Sequence, residues 1–380
     1  MDFSLSEDQI LMRDTAREFA VKRLAPMAEE LDAREEMPAE LLKETAELGF
    51  FGLLAPEEYG GLASDMLSYA LCIEEISRAC AGLAITISIH NSLVIKAIEM
   101  YGTREQKDEY LPKLATGEII GAYSLSEPDS GTDAGSLTCQ AIGRGDEYVF
   151  NGAKSWVSSA AYAGIIVVFA LTNPEKGPKG VSAFIVQQGT DGLNLGAPEK
   201  KMGIKCSDTR EISFMDARVP RANLLGDEDE GFKIALALLD NGRIGVGAQA
   251  LGIAQAAFDE ALKYSKERKQ FGKTLSEFQA IQFKLADMAT RIDAARLMVY
   301  RAAVLKNAEG LHSREVSMAK LVASETANFV ANEAVQIHGG YGYVKEYPVE
   351  RYFRDARVTE IYEGTSEAQR IVISRDLLKG

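Results

Sequence analysis

Apolar positions in the first 120 residues recur at helical spacing. Ser6 with Gln9 has the pattern of a capping box, and it opens an amphipathic helix that runs to about Leu31. Residues 56–61, with Gly60-Gly61, predict a turn, and residues 66–79 are helical by spacing. Residues 81–100 form an apolar helix-like run broken by His90, Asn91 and Lys96. No uninterrupted run reaches the ~18 residues of a membrane span, so none is expected. From about 121 to 225 the pattern becomes strand and turn. Residues 165–171 and 181–186 are rich in β-branched side chains, and Asn151-Gly152 between Tyr148-Val149-Phe150 and Trp156-Val157 predicts a tight hairpin. Short strands without helices between them predict a compact antiparallel barrel or sandwich. From about 227 long helices return. Ile281, Leu285, Met288, Ile292, Ala295 and Val299 line one face, Ser276 with Gln279 has a second capping-box pattern, and Gly310 stops that helix. Residues 231–266, 313–337 and the tail after Thr365 add more helices, and an antiparallel four-helix bundle is the economical arrangement. The expected fold is α+β multidomain: a helical domain over 1–120, a middle β-domain over 121–226 and a helical bundle over 227–380.

Composition narrows the function. The net charge of −14 opposes binding to nucleic acid and to anionic membrane surfaces. Any phosphate-bearing ligand then needs local donors. Cys72, Cys80, Cys139 and Cys206 have no metal-site spacing and read as reduced, buried thiols; three histidines (90, 312, 338) make a histidine metal site a poor expectation. Met1-Asp2-Phe3-Ser4 leads directly into acidic helical sequence without a basic or apolar targeting pattern, so a cytoplasmic location is expected.

Several segments carry candidate chemistry, each with a plainer alternative. Glu363, in Ile361-Tyr362-Glu363-Gly364-Thr365, places a carboxylate between an aromatic ring and a glycine. Beside apolar surface such a group has a raised pKa and suits a general base; a solvated helix-start glutamate is the alternative. Residues 126–133 (SEPDSGTD) are dense in hydroxyls and turn formers, fit for an anionic or heteroaromatic ligand or for an ordinary surface turn. Trp156, the sole tryptophan, could cover a planar cofactor or fill a core. Arg268 could clamp a phosphate or be a solvated loop cation, and Gln279 could bind a ligand or complete its cap. Gly339 and Gly340 permit close approach of a pyrophosphate or cap a helix. Asp240-Asn241-Gly242-Arg243 offers polar contacts to a ligand threaded between helices, or a solvated helical turn. The GxGxxA match at 245–250 lacks the strand that a dinucleotide fold requires and reads as close helix packing.

In this order, YSLSEPDSGT (123–132), KSWVS (154–158), MGIKCSDTR (202–210), RKQFGK (268–273), QIHGGYG (336–342) and IYEGTSEAQ (361–369) resemble the acyl-CoA dehydrogenase family, in its short- and medium-chain branch, over essentially the whole chain. The resemblance implies FAD between β-domain and bundle, with Tyr123, Leu125, Ser126, Trp156 and Ser158 around the isoalloxazine. Gly131 and Thr132 fall where cofactor and substrate are contacted. Arg268, Phe271, Gln279, Gln336, Gly339 and Gly340 match positions that reach the FAD of a neighbouring subunit, and Thr365 and Glu367 close over the adenine half. Asp240, Asn241, Gly242 and Arg243 match the acyl-CoA side, with Tyr362 and Gly364 flanking the base. Glu363 matches the base itself; some relatives carry theirs at the position of Gly242, which cannot act so. The implied reaction is α,β-desaturation of an acyl-CoA, with hydride to flavin N5 and electrons passed to an electron-transferring flavoprotein by a homotetramer built as a dimer of dimers. An acyl-CoA oxidase or lyase on the same scaffold, or a flavin-free interaction protein, are the alternatives. A glutaryl-type enzyme would want a cation near residues 88–92, where only His90 stands.

Overall fold

The computed structural model describes residues 4–307 and 312–379; Met1 to Phe3 and the helix stop expected at Gly310 lie outside them. Seven helices come first: α1 (Glu7–Phe19), α2 (Ala28–Arg34), α3 (Ala39–Glu47), α4 (Met66–Ala79), α5 (Ala81–Ile89), α6 (Lys96–Tyr101) and α7 (Arg104–Ala115). The capping box at Ser6 is formed, with Gln9 returning to the Ser6 N–H. The helix expected to reach Leu31 does so only through a π turn (Ala20–Leu24) and a 3-10 turn (Ala25–Met27), because Pro26 cannot continue the α-helical ladder. The apolar run after Cys80 is continuous over Ala81–Tyr101. By length and composition alone it is long enough to cross a membrane, so the run is not too short as its interruptions suggested; 94% of its apolar window is buried inside the protein, as in a core helix.

The middle region holds β1 (Ile120–Ser124), β2 (Gln140–Arg144), β3 (Glu147–Ser158), β4 (Ala163–Leu171), β5 (Val181–Gln187), β6 (Leu193–Pro198), β7 (Thr209–Pro220) and β8 (Leu224–Leu225). They form one sheet in the order β6-β7-β3-β2-β4-β5-β8, with β1 also on β4. Pairing is mostly antiparallel, as expected, but β1 and the start of β2 both run parallel to β4. Alternation along β4 divides its burial. Ile165, Val167 and Phe169 face the helices, while Ile166, Val168 and Ala170 join Phe150, Phe184 and Phe214 in the core of the β-domain.

The hairpin expected at Asn151-Gly152 is absent. Both residues lie inside β3, where pairing with β7 slips by a bulge and Gly152 takes φ 139°. A Cβ at Gly152 would come within 2.8 Å of Cys139 Cα, so glycine serves close approach rather than a turn. The tight turn falls earlier, between β2 and β3, at Gly145 (φ 62°).

The helices then resume as α8 (Gly231–Glu267), α9 (Gln279–Lys306), α10 (Ser313–His338), α11 (Val349–Val358) and α12 (Ser366–Leu378), with a small hairpin, β9 (Lys269–Gln270) and β10 (Lys273–Thr274), between α8 and α9. Five helices therefore follow residue 230 among the described residues, one more than a four-helix bundle requires; α8 is enclosed by α10, α9 and α11, and by α4 from the N-terminal region. Met288, Ile292, Ala295 and Val299 are buried on α9 as their spacing predicts. The capping box before α9 is made by Thr274 and Glu277, not Ser276 and Gln279, since a 3-10 turn (Leu275–Glu277) intervenes. The GxGxxA glycines lie in mid-α8. A Cβ at Gly245 would collide with the hydrogen-bonded Tyr69 and Ser88 hydroxyls, and one at Gly247 would touch Val299 at 3.0 Å, so these glycines bring α8 close to its neighbours.

Candidate active site

Between α11 and α12 the chain makes a turn that no regular element explains. Glu363 has φ 52° and Gly364 φ 94°, two consecutive left-handed residues, and such a backbone in a glutamate costs on the order of 1–3 kcal/mol. Thr365 ends the turn by accepting the N–H of Ala368 at 3.2 Å as the N-cap of α12. The turn presses Glu363 inward. The residue is half-buried, yet both carboxylate oxygens are sealed from solvent and have no hydrogen-bond partner. The carboxylate lies against Gly242 of α8. A Cβ built on Gly242 would stand 2.9 Å from Glu363 Cδ, nearer still to Oε2, and 3.1 Å from Leu93 Cδ2. Glu363, expected from sequence as a base, and Gly242, expected on the acyl-CoA side, 121 positions apart, therefore meet.

Burial pushes the Glu363 carboxyl up to about 7, and the nearby Lys320 and Arg243 cations restrain it from rising further. Tyr123 and Tyr362 are raised well above the usual phenol range, by burial first and the Glu363 charge second. The Tyr362 hydroxyl donates to Gln249 Oε1, and Arg243 Nη1 donates to Asp240 Oδ1 at 2.8 Å, both partners buried. Asn241 is buried beside them. A carboxylate near neutrality, dry and unpartnered, can accept a proton from a weak acid brought to it.

A second group of expected residues gathers at the end of β1. Lys154 is fully buried; its Nζ donates to Leu125 O at 3.1 Å and to Glu127 Oε1 at 2.7 Å. Glu127 also accepts from Thr138 and Cys139, and burial notwithstanding, the Lys154 charge and hydrogen bond first, with the Thr138 donors behind them, hold it below the usual carboxylate range. The Ser155 N–H donates to Ser126 O at 2.9 Å. The 123–126 segment is thereby pinned against the 154–158 segment. From it Trp156 emerges with left-handed backbone (φ 60°) and 63% of its surface exposed, while the Tyr123 hydroxyl is buried without a partner. Ser158 is half-buried nearby on β3; Gly131 and Thr132 are exposed in the loop that follows β1.

A third group lies at the far end of α10. Arg268, Gly339 and Gly340 line a cavity of about 740 Å³ with Tyr264, His338 and Tyr341, and nothing stands within 4 Å of a Cβ on either glycine. Gln336, Gln279, Glu367 and Phe271 are exposed outside it, Phe271 by 93%. Among the described residues no hydrogen bond or ion pair joins these residues to Glu363. Phe271 stands at the tip of the β9–β10 hairpin with its ring edge-on to Phe278.

Orphaned buried hydroxyls, an exposed indole beside serine hydroxyls, and an open glycine-lined cavity with an arginine suit a planar heteroaromatic ligand carrying a diphosphate. His90 provides no cation for a distal carboxylate. Its Nδ1 accepts the Gly121 N–H, its Nε2 faces Leu114 O, and burial pulls it down to about 4. Sequence reasoning passed over Lys320, Gln249, Lys154 and Glu127. Lys320 leaves a trace, since it interrupts the stripe Val316, Ala319, Ala323 and Ala327 on α10.

Comparison with known proteins agrees along the whole chain. Residues 6–118, 122–217 and 229–378 match the acyl-CoA dehydrogenase N-terminal, middle and C-terminal domains. The chain is 50% identical to acryloyl-CoA reductase (NADH) from Anaerotignum propionicum, over 100% of this chain and 96% of that one. The butyryl-CoA dehydrogenase structure from Megasphaera elsdenii superposes with a TM-score of 0.98 at 46% identity, covering both chains fully. A chain in a structure described as the electron transferring flavoprotein of Acidaminococcus fermentans, concerned with flavin-based electron bifurcation, also superposes at 0.98, with 50% identity over all of both chains.

Proposed function

The chain belongs to the acyl-CoA dehydrogenase family of FAD-dependent flavoproteins, and from that premise we propose that it desaturates short- to medium-chain acyl-CoA thioesters to trans-2-enoyl-CoA, with Glu363 as the base for the α-proton. The observation that carries this reading is the dry, unpartnered Glu363 carboxylate lying against Gly242.

Trp156, Tyr123, Leu125, Ser126 and Ser158 would hold the flavin ring, with Gly131 and Thr132 at its edge. Arg268, Gly339 and Gly340, joined by Phe271, Gln279 and Gln336, would hold the diphosphate and adenine end from a neighbouring subunit, and Thr365 and Glu367 would close over it. When bound, FAD supplies the acceptor for the hydride that leaves the β-carbon. The protein's own work is at the α-carbon. The α C–H is a weak acid, and removing its proton places negative charge on the thioester oxygen. Glu363 accepts the proton on a carboxylate already near neutrality. The Glu363 N–H takes no part in the turn's own hydrogen bonds, which run from Ile361 and Tyr362 to Val358 and from Ser366 to Glu360. It can donate to the thioester oxygen, and one such donor is worth ~3 kcal/mol of barrier. Asp240, Asn241, Gly242 and Arg243 would line the acyl-CoA path, with Tyr362 and Gly364 on either side of the base. In reverse the same carboxyl returns its proton to the α-carbon, as an enoyl-CoA reductase would require.

The remaining elements of the reading are an electron-transferring flavoprotein as redox partner, a homotetramer as dimer of dimers, and a cytoplasmic location. Support comes from the exposed Phe271 surface and from four cysteines that are all unpaired. Domain boundaries near 120 and 226 accord with β1 starting at Ile120 and α8 at Gly231. The deciding experiment is anaerobic mixing with butyryl-CoA: the yellow protein bleaches, and Glu363→Gln retains FAD without bleaching. Full bleaching of that variant removes Glu363 from the role. Rapid peroxide formation in air, with no acceptor protein, marks an oxidase instead.

A further inference from the structure

Lys320 has no part in the proton transfer just described, yet it is a buried cation beside it. Its side chain is fully buried on the apolar stripe of α10. Burial pulls the amine down to about 8, and the Glu363 charge is the chief influence holding it up, with Glu360 and Glu367 behind it. Nζ donates to Gly364 O at 2.8 Å, one residue from the carboxylate. Gln369 Nε2 donates to the same carbonyl at 2.8 Å.

The groups that face Glu363 from the surrounding elements are Tyr69 on α4, Tyr123 on β1, Arg243 on α8, Lys320 on α10 and the adjoining Tyr362. Two of these are cations. Arg243 is already matched by Asp240 in a buried ion pair. Among the described residues Lys320 has no ion-pair partner of its own, so its charge acts on Glu363 through the low-dielectric interior. The balance matters for the chemistry. With too little positive charge the carboxylate is protonated before an acyl chain arrives, and with a direct ion pair it would be too weak a base for a carbon acid.

We infer that Lys320 is a positioning residue of this site: its buried ammonium fastens the Gly364 carbonyl, and with it the turn that aims Glu363, and keeps that carboxylate in its proton-accepting form. The catalytic side of this role rests on Glu363 being the base, but its first test does not.

That test is an infrared pH titration of the FAD-loaded protein, following the protonated-carboxyl stretch that disappears in Glu363→Gln. The wild-type midpoint falls near 7. A midpoint above about 8, where buried glutamates without a cation titrate, overturns the inference without any variant. Lys320→Gln keeps a donor for Gly364 O but no charge, and moves the midpoint up by about one pH unit or more. Lys320→Arg keeps the charge and holds the midpoint. Lys320→Met loses both features; its midpoint rises, and its bleaching by butyryl-CoA stays about tenfold or more below wild type even at high pH, from misalignment of the turn. Lys320→Gln recovers to within about threefold there, since misalignment is spared. An unmoved midpoint in Lys320→Gln, or an equal shift in Lys320→Arg, overturns the inference. A wild type that titrates as stated but is not bleached refutes the desaturase reading and leaves the infrared result standing.

Discussion

Gly242→Ala is the smallest change that tests whether Glu363 works where the structure holds it. The new Cβ would stand 2.9 Å from Glu363 Cδ and closer to Oε2, against the 3.5–4.0 Å at which carbon atoms rest. The α8 backbone cannot yield, because Gly242 is flanked by buried Asn241 and Arg243 and the helix is enclosed on all sides. The flexible end of Glu363 must move instead, by about 1 Å. It cannot move freely toward Leu93, whose Cδ2 is itself 3.1 Å from the added atom. A misplacement of this size in a reacting group costs ~100-fold in rate. The fold should survive, since only a side-chain terminus shifts. We expect Gly242→Ala to bind FAD with an unchanged visible spectrum and thermal midpoint close to wild type, while the rate of anaerobic bleaching by butyryl-CoA falls ~100-fold. Stopped-flow absorbance separates the two. A variant that bleaches within threefold of wild type would show that the carboxylate is not held against Gly242 when it reacts, and the argument from geometry would fail.

Other predictions are independent of that one. The Glu363 carboxyl rises from an ordinary 4.5 to about 7 on folding, so the folded state binds a proton more tightly than the unfolded chain; stability through this group falls as pH rises from 4.5 to 7 and the loss is complete above 7. Glu363→Gln should therefore be more stable than wild type by ~3 kcal/mol at pH 8 and equal to it at pH 4.5, by urea denaturation at both pH values. Substrate bleaching by the wild type should fall off as pH drops below about 7, tenfold per unit, as the base is lost. Glu127→Gln leaves the Lys154 ammonium buried and uncompensated and should lose ~3–5 kcal/mol, whereas Glu127→Gln with Lys154→Met should lose less than the two single changes summed, as a denaturant double-mutant cycle will show. All four thiols are buried, so a thiol reagent should titrate none in the native protein and four in denaturant; prompt native reaction would contradict their placement.

Local pattern made much of this fold legible before any coordinates. The capping box at Ser6, the helix at Met66–Ala79 and the buried stripe on α9 follow from residues within one or two turns of each other. The misreadings share a cause. Asn151-Gly152 is a turn signal only when the chain must reverse; here the glycine exists because Cys139 approaches from β2's side, and no local window contains both. Gln279 looked like the third residue of a cap because the 3-10 turn made by Thr274 and Glu277 could not be distinguished from the start of α9. The parallel course of β1 beside β4 likewise depends on where the long connection after Ser124 travels, which strand propensity does not encode.

The site divides along the same line. Glu363 could be singled out because its chemistry is written in its neighbours, a ring on one side and a glycine on the other. What would fit it to act as a base is supplied from elsewhere: a missing side chain on α8 and an ammonium on α10. Gly242 matters through an atom it lacks. Any side chain there would displace the carboxylate, so the residue that seemed a mere forfeiture of an alternative base is the floor on which the Glu363 carboxylate rests. Lys320 matters through a charge that sequence reasoning assigns to solvent by default, although its place on the stripe Val316, Ala319 and Ala323 marks it as inward. The general point is physical. A carboxyl tuned to take a proton from carbon needs dryness, which raises its affinity for protons, and a nearby unshared cation, which limits the rise. Dryness can be guessed from local sequence. The cation can be found by asking which lysine or arginine lies on an apolar stripe of an adjoining helix, because a chain tolerates such a residue only where an anion or a set of acceptors meets it.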